Sequence, residues 1–397
     1  MNFNLLISDY ILLILVFLIG YNYFLYPVVL FVLSKIFKNI NEKDKNFTPS
    51  VTVIIAAHNE EELIEGAVLS VISSEYPLDK IRIVVGSDGS TDSTNDILVK
   101  LKAKYPNNLN FFIFDRIGKN RLINSIIPNI ETDFIIFMDA DCRMLKSTMK
   151  EMMKNFIDNE VGCVIASQSV AGKDDIENAG RLGDTLYHRY EENIRIFEGI
   201  IHSNVNSLGY LYAVSKRYLK PIADDFVCDD LFNVYSILEK HRRVVFEKNA
   251  KAVEIRKKSF NNELHRRVRA VAGGIATVIS YKNLLNIFKY GWVSFFIISH
   301  KIFRWVTPVF LLLLMFATFI FWDTSIIWML VFLLQLILYL MAFIGWSSEK
   351  LKLNIKTAKI FLFFVSMNFS SLLGTFRYLK KSQNAVWDRS GYNQEKS

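Results

Sequence analysis

The chain of 397 residues contains only three cysteines and seven prolines, and it lacks a glycine-rich dinucleotide fingerprint. Cys142, Cys163 and Cys228 lie far apart, with no metal-ligand spacing and no evident disulfide framework. Such usage is typical of a reducing compartment. No G-x-G-x-x-G follows the first predicted strand, which argues against a Rossmann-type site. Internal repeats and low-complexity segments are also lacking, so repeat architectures are excluded.

Charge is missing from four long apolar stretches, residues 10–34, 305–322, 324–348 and 360–376. Each has roughly 17 to 25 residues, about the length that crosses a bilayer as a helix. The first stretch is preceded by an acid, Asp9, and by no basic side chain, it is too long for a signal peptide, and it shows no small-residue cleavage site, all of which favours an uncleaved anchor. The sequence therefore predicts an integral membrane protein with one N-terminal span, a soluble domain and about three C-terminal spans.

Basic residues lie close to the ends of these stretches, in a chain of formal net charge +8. They are Lys35, Lys38, Lys43 and Lys45 after the first stretch and Lys282, Lys289, Lys301 and Arg304 before the second. By the positive-inside rule, the soluble domain faces the cytoplasm. No nucleic-acid-reading motif is present, so we expect no nucleic-acid partner. Abundant Lys, Asn, Ile and Phe favour a bacterial source and hence the bacterial plasma membrane.

These patterns divide the chain into five expected segments. They are an anchor (1–37), a cytosolic α/β domain (48–281), an interfacial helix (282–302), a C-terminal transmembrane region (303–381) and a polar tail (382–397). Three C-terminal spans would place the tail outside, although its bases favour the inside. A re-entrant last segment therefore remains an alternative.

Strand-like and helix-like patterns alternate through the first part of the soluble domain. Apolar strands are predicted at 50–57, 81–85, 110–114 and 134–138, with helices between them. This alternation predicts an α/β fold with a mostly parallel sheet. Further on, we predict helices at 178–199, 229–239, 264–279 and 287–299 and a strand at 209–214.

Two carboxylates, Asp139 and Asp141, directly follow the fourth predicted strand. In open α/β sheets, ligands bind outside the carboxyl ends of the strands. Paired carboxylates there suit a hard divalent cation that also binds substrate phosphates. An isolated pair of this kind is more typical of a strand that simply ends in a polar loop.

Taken together, the loops resemble those of glycosyltransferase family 2, which includes cellulose, chitin and hyaluronan synthases. The matching residues are Ala57-His58-Asn59-Glu60, Ser87-Asp88-Gly89-Ser90-Thr91-Asp92, Gly118-Lys119, Asp139-Ala140-Asp141, the Gly209–Ala213 segment and Asp229-Asp230. Each motif alone is weak, whereas their order and spacing are specific. The resemblance covers about residues 51–274 and implies a GT-A fold, a nucleotide-sugar donor and Mg²⁺ or Mn²⁺.

The resemblance also implies roles for individual residues. Asp141 and Asp139 would hold the metal. Asp230 would be the general base, and its neighbour Asp229 is the alternative for that role. Gly209 and Tyr210 would contact the acceptor. The expected donor-binding residues are Ala57, Asn59, Glu60, Asp88, Lys119, Asp139, Arg266, Arg267 and Arg269. Each role has a structural alternative. Asp88 could be a turn or cap residue, Lys119 a solvated loop lysine, and the adjacent acids a pair that favours a helix N-terminus.

One departure from the family pattern concerns the acceptor. Processive members carry a Gln-x-x-Arg-Trp motif, and the corresponding stretch here is Arg266-Arg267-Val268-Arg269-Ala270. The aromatic platform is replaced by Ala270, while the arginines suit either diphosphate oxygens or lipid headgroups. We expect inverting transfer to a saccharide or lipid-linked acceptor at the membrane, with membrane lipids as neighbours. A processive synthase and a non-catalytic nucleotide-sugar-binding protein are the alternatives.

The histidines form no ligand set in the sequence. We therefore expect His58, His188, His202 and His300 to be loop or surface residues.

Overall fold

A computed structural model describes residues 3–168, 180–224, 226–255, 260–351, 353 and 355–381. The soluble domain contains the strands β1 (Val51–Ala57), β2 (Ile81–Asp88), β3 (Leu109–Phe114), β4 (Phe134–Asp139), β5 (Cys142–Met144), β6 (Val161–Gln168), β7 (Leu211–Ser215) and β8 (Arg243–Glu254). The helices up to the end of this domain are α1 (Phe3–Gly20), α2 (Tyr26–Ile36), α3 (Ile64–Ile72), α4 (Thr94–Lys104), α5 (Lys119–Ile126), α6 (Thr148–Met153), α7 (Gly180–Ile201), α8 (Asp229–Glu239) and α9 (Phe260–Ser280). Those that follow are α10 (Ile287–Tyr290), α11 (Trp292–Phe296), α12 (Phe303–Ile320), α13 (Ile326–Lys350) and α14 (Lys356–Leu379).

The eight strands form one mixed sheet in the order β3-β2-β1-β4-β7-β6-β8-β5. The first four are parallel, as the alternation of strands and helices predicted. Beyond β4 the sheet is mixed, because β7 pairs antiparallel with both β4 and β6 while β8 pairs parallel with β6. The α/β fold with membrane helices is confirmed, and its sheet is parallel over one half only.

The register brings three strand ends to one edge of the sheet. Ala56 lies opposite both Gly86 of β2 and Asp139 of β4. Because these strands are parallel, the loops that follow β1, β2 and β4 emerge side by side. This edge carries most of the predicted donor-binding residues.

Two hydrophobic cores lie on the two faces of the sheet. Val53 and Ile55 of β1 face a core formed with α3 and α4. Ile54 faces the other core, which contains α5, α8 and also Tyr26 and Leu30 of α2. Full burial of one such aliphatic side chain contributes about 1.5–3 kcal/mol. The N-terminal apolar helix therefore shares a core with the soluble domain and is not a loosely attached anchor.

Among the described residues, four helices are long and apolar enough to cross a membrane: Asp9–Ile36, Trp292–Ile320, Ile326–Lys350 and Lys356–Leu379. The prediction of one N-terminal and three C-terminal spans is confirmed. The expected interfacial helix (282–302) is divided at Gly291, whose φ of +51° suits glycine. After that break, α11 continues through a π-helical turn (297–302) into α12.

A buried polar cluster joins α7 to the N-terminal end of this second span. Both ring nitrogens of His300 face carboxylates, Nδ1 at 2.7 Å from Glu198 and Nε2 at 3.1 Å from Glu191. Tyr26 donates to Glu198 at 2.8 Å, and Arg304 pairs with Glu191. The expectation that His300 lies in a loop or at the surface is wrong, since it is 1% exposed. Two acids on α7, about a hundred residues earlier, provide the polar partners that make its burial possible.

Removing this imidazole is expected to destabilise the protein. H300A removes one hydrogen-bond partner from each of two buried carboxylates, and a buried polar group left unsatisfied costs about 1–3 kcal/mol. We expect the detergent-solubilised variant to unfold at a clearly lower temperature than the parent, measured by intrinsic fluorescence. H265A, at an exposed position of α9, is the matched control. Equal unfolding temperatures for all three proteins would show that the cluster does not stabilise the junction.

Candidate active site

The loops after β1 and β2 are fastened to each other. Asn59 has a left-handed backbone, φ +54°, and its Oδ1 accepts from the Thr91 N–H at 2.8 Å. The Glu60 N–H donates to the Thr94 hydroxyl at 2.8 Å, and the Glu60 side chain is buried. Ala57 ends β1 and is also buried. These residues, predicted to bind the sugar donor, are thus held in place at the edge of the sheet.

Asp88 lies at the end of β2 and is fully buried. Its Oδ1 accepts from the N–H groups of Ile117 at 2.7 Å and Gly118 at 3.0 Å, and Arg116 donates to its Oδ2 at 2.8 Å. Gly118 adopts φ +89°, a conformation that favours glycine. Asp88 thus holds the turn that begins α5 and places Lys119. Its contact with a nucleoside stays a prediction.

Lys119 connects two parts of the site. Its ammonium lies 3.2 Å from Asp139 Oδ1 and 3.2 Å from Asp229 Oδ2. Burial alone would lower the pKa of Lys119, but the two carboxylates outweigh that effect and raise the pKa. The side chain is therefore a fixed positive charge between the end of β4 and the start of α8, not a solvated loop lysine.

The metal ligands expected from the sequence are the two acids at the end of β4. Asp141 is 5% exposed, and its backbone carbonyl accepts from the Ile255 N–H at 2.8 Å. In the part of the chain that the structure describes, no group of three or more His, Cys, Asp or Glu side chains is arranged to hold a metal. Two carboxylates offer only hard oxygen ligands, which fits Mg²⁺ or Mn²⁺ completed by phosphate oxygens.

The two acids that begin α8 face different neighbours. Asp229 contacts Lys119, whereas a Cβ built on Gly209 would lie 3.2 Å from Asp230 Oδ2. Gly209 has φ +72°, so glycine is favoured there for both its conformation and its lack of a side chain. Burial, followed by the negative charge of Asp229, raises the pKa of Asp230 to about 6. A carboxylate with such a pKa suits proton abstraction near neutral pH.

Tyr210 takes part in the candidate site through its backbone and not through its ring. The ring is buried, with its hydroxyl donating to the Ala166 carbonyl at 3.4 Å, while its own carbonyl accepts from the Asp139 N–H at 3.0 Å. A small recess beside it is lined by Lys119, Asp139 and Gly209 together with apolar side chains of β1, β4 and α5. The structure thus brings Gly209 to the site but turns the aromatic side chain of Tyr210 away.

Two of the three predicted arginines contact the same acid, Glu263. Arg266 and Arg267 both donate to Glu263, at 3.1 and 2.8 Å. Burial alone would raise the pKa of Glu263, but the two guanidinium groups outweigh it and hold that pKa at about 2. Arg266 also lies 3.7 Å from Glu254, a residue that pairs across the sheet with Cys142, next to Asp141. Only Arg266 is placed near the acidic end of β4 by these contacts.

The position that lacks the family's aromatic residue lies close to the predicted base. The Ala270 carbonyl is 3.6 Å from the sulfur of Cys228, two residues before Asp230. Burial raises the pKa of the Cys228 thiol, and Lys301 and Arg269 act in the opposite direction. Both cations therefore lie near the start of α8.

Sequence reasoning missed Lys301 as a site residue and interpreted it as a basic flank of the second span. Its ammonium donates to Asn206 Oδ1, in the segment that leads to Gly209. Arg116, which contacts Asp88, was also missed. No local pattern identifies either residue, because each meets its partner only through the tertiary fold.

Comparisons with known proteins show which families and folds this chain is similar to. The sequence profile described as glycosyl transferase family 2 matches residues 52–213. The poly-beta-1,6-N-acetyl-D-glucosamine synthase of Staphylococcus aureus (strain COL) is 29% identical over 131 residues, which are 32% of this chain and 30% of that protein. The probable glycosyltransferase YdaM of Bacillus subtilis (strain 168) is 30% identical over 150 residues, 36% of this chain and 33% of that protein. The matches span about a third of the length of these curated relatives.

A solved structure extends the likeness to most of the chain. It is described as a mannosyltransferase from Pyrobaculum calidifontis in complex with GDP-Man and Mn²⁺, with a TM-score of 0.72 at 18% identity. The alignment covers 94% of this chain and 99% of that one, which shows a shared fold. Residues 52–213 therefore match the glycosyl transferase family 2 profile, and the chain shares a GT-A fold that is accompanied, among the described residues, by four helices apolar and long enough to cross a membrane.

Proposed function

We propose that this protein transfers a sugar, with inversion, from a nucleotide-sugar donor to a saccharide or lipid-linked acceptor at the membrane. A UDP-linked donor is the first choice. The observation that carries the proposal is the Lys119 bridge between Asp139 and Asp229. It joins the acidic edge where a donor diphosphate would lie to the helix whose next residue, Asp230, faces Gly209.

Different side chains of the site would carry out different parts of the proposed sugar transfer. An acceptor hydroxyl is a poor nucleophile until its proton is removed, and Asp230 is the base proposed to accept it. The hydroxyl oxygen then attacks the anomeric carbon on the face opposite the leaving nucleoside diphosphate, which inverts that centre. A Mg²⁺ or Mn²⁺ ion held by Asp139 and Asp141 would neutralise charge on the departing phosphates. Lys119 provides a second, permanent positive charge at the same edge.

The loops described above supply the remaining donor contacts in this proposal. Ala57, Asn59, Glu60 and Asp88 would form the nucleoside side of the pocket, and Arg266 would reach diphosphate oxygens. We place the catalytic domain (48–281) on the cytoplasmic side of a bacterial plasma membrane. The support is the set of lysines and arginines that flank the spans.

A processive polysaccharide synthase is the second candidate. The similarity to the staphylococcal synthase and the three C-terminal spans favour it, while Ala270 provides no aromatic surface for an acceptor sugar. Product length separates the two. Single additions by the purified protein would contradict the synthase, and long product ladders would contradict single transfer.

The decisive experiment screens a panel of nucleotide-sugars with Mg²⁺ or Mn²⁺, with and without chelator. We expect chelator-sensitive release of nucleoside diphosphate from one donor by the detergent-purified protein. Release from no donor, even with membrane lipids restored as acceptors, would instead favour a non-catalytic nucleotide-sugar-binding protein.

The pH dependence of transfer follows from the raised pKa of Asp230, about 6. The base acts only when deprotonated, so the rate should be constant well above pH 6 and fall as the pH drops through that value. At pH 5 about a tenth of the plateau rate is expected, because one pH unit below the pKa leaves about a tenth of the carboxylate ionised. Initial rates at saturating donor and metal measure this, and a rate independent of pH from 5 to 8 would contradict the assignment.

A further inference from the structure

Lys301 lies in the π-helical turn (297–302) within the first half of the second span, yet its ammonium donates to Asn206 of the soluble domain. The acceptor atom is Asn206 Oδ1, and Asn206 precedes Gly209 by three residues in the segment between α7 and β7. Gly209 in turn lies against Asp230. A chain of contacts therefore connects a lysine of a membrane helix to the side of the proposed base that faces Gly209.

The backbone around Lys301 is held firmly. His300 is clamped between Glu191 and Glu198, and Arg304, one turn later, pairs with Glu191. Close packing fixes the same segment from another direction, since a Cβ on Gly274 of α9 would lie 2.8 Å from the Trp305 ring. A lysine near a membrane usually extends its ammonium toward water or headgroups. Here, the surrounding contacts keep it at the active site.

Two lysines approach the acids of α8 from different sides. Lys119 contacts Asp229 and Asp139, at the edge where the donor diphosphate is placed. Lys301 comes from the membrane side, and its positive charge, like that of Lys119, opposes the raised pKa of Asp230. The charge of Arg269, like that of Lys301, also lowers the pKa of the Cys228 thiol, two residues before Asp230, against the stronger effect of burial. Lys301 and Arg269 therefore place positive charge on the membrane side of Asp230. A neutral acceptor would not need this charge for binding.

We propose that Lys301 binds the phosphate group of an anionic, lipid-linked saccharide acceptor and thereby presents a hydroxyl of its first sugar to Asp230. The inference rests on the transferase function proposed above and defines its acceptor class. Arg269 would provide the second positive charge for the same phosphate. Lys301 takes no part in the bond changes. The hydroxyl proton goes to Asp230, the new oxygen–carbon bond forms at the anomeric centre, and the nucleoside diphosphate leaves with the electrons of the broken bond.

The test compares two acceptors that carry the same sugar. One is a polyprenyl-diphosphate-linked monosaccharide, and the other is a neutral glycosyl-diacylglycerol, both in phosphatidylcholine vesicles. K301M should raise the KM for the diphosphate-linked acceptor by about tenfold or more, since a charge-assisted hydrogen bond is lost. Both assays are run at pH 8, where Asp230 is ionised with or without the charge of Lys301. There, K301M should change transfer to the neutral acceptor and donor hydrolysis by water far less than transfer to the diphosphate-linked acceptor. K301R should restore most of the lost affinity.

K289M is the matched control, because Lys289 is an exposed lysine of α10 at the same end of the second span. It should behave like the parent with both acceptors. An equal loss for the two acceptors, or a loss of donor hydrolysis, would make Lys301 a structural or donor-side residue and overturn the proposal. So would a K301M effect that appears only in phosphatidylglycerol vesicles, since the anion would then be a lipid headgroup.

Direct binding of the diphosphate-linked lipid to parent and K301M, measured by native mass spectrometry, needs no turnover. Weaker binding by K301M than by the parent supports the proposal, and equal binding overturns it. Failure of the transferase function itself has a different signature, because the parent would then release no nucleoside diphosphate from any donor.

Discussion

D230N is expected to lower the rate of sugar transfer by a factor of about 10²–10⁴, the usual contribution of a general base. The amide keeps the size of the side chain against Gly209 but cannot accept a proton from the acceptor. Because Asp229 and Lys119 are unchanged, the dissociation constant of the donor should stay within about twofold of the parent value. Single-turnover transfer rates and donor titration by calorimetry measure the two effects separately.

D224N is the matched control for this substitution. Asp224 is an exposed aspartate six residues before Asp230, paired with Arg121 at 2.8 Å on the surface. Exposed pairs contribute about 0–1 kcal/mol, so the control should be as active as the parent. Full transfer activity in D230N would remove Asp230 as the base. A similar loss in D229N, with donor binding intact, would give that role to its neighbour.

D141N is expected to reduce transfer by about a hundredfold or more at low metal concentration. The reason is that one of the two proposed carboxylate ligands becomes an amide, which binds a hard cation less strongly than a negative oxygen does. Raising the Mn²⁺ concentration should recover part of the activity. The measurement is the metal concentration at half-maximal rate, which should increase in D141N and stay unchanged in D224N.

Donor binding gives a second readout for the same variant. In the parent, we expect chelator to weaken nucleotide-sugar binding, and in D141N the chelator should have a much smaller effect. If D141N binds donor and metal like the parent, the carboxylate of Asp141 belongs to the fold and not to the metal site.

Much of the architecture follows from local patterns in the sequence. The strands that became β1 to β4, the helices between them and the four apolar helices are all visible as short-range periodicity, because a buried strand or span needs a continuous apolar run. The acids at the end of β4 and at the start of α8 could likewise be identified from the sequence, because they lie directly next to predicted elements. In the second half of the sheet only β7 was predicted, as a strand at 209–214. The strands β5, β6 and β8 were not, and their pairing with partners distant in sequence leaves no local signal.

Which way each site residue faces was decided only by the tertiary structure. Tyr210 follows the same loop as Gly209, yet its ring packs into the core while Gly209 meets Asp230. Asp88 directs its oxygens at the turn before α5, about thirty residues away. Such choices depend on which groups the fold brings together, and no local rule contains that information.

The resemblance to glycosyltransferase family 2, the expected GT-A domain, the apolar helices and the set of acids around which the candidate site is built all followed from the sequence alone. Only the tertiary structure decided that His300 is buried between Glu191 and Glu198 and that Lys301 beside it contacts Asn206, three residues before Gly209. The physical reason is separation along the chain. Both residues look like ordinary basic flanks of a span until α7, about a hundred residues earlier, supplies the carboxylates that fix the membrane helix against the catalytic domain.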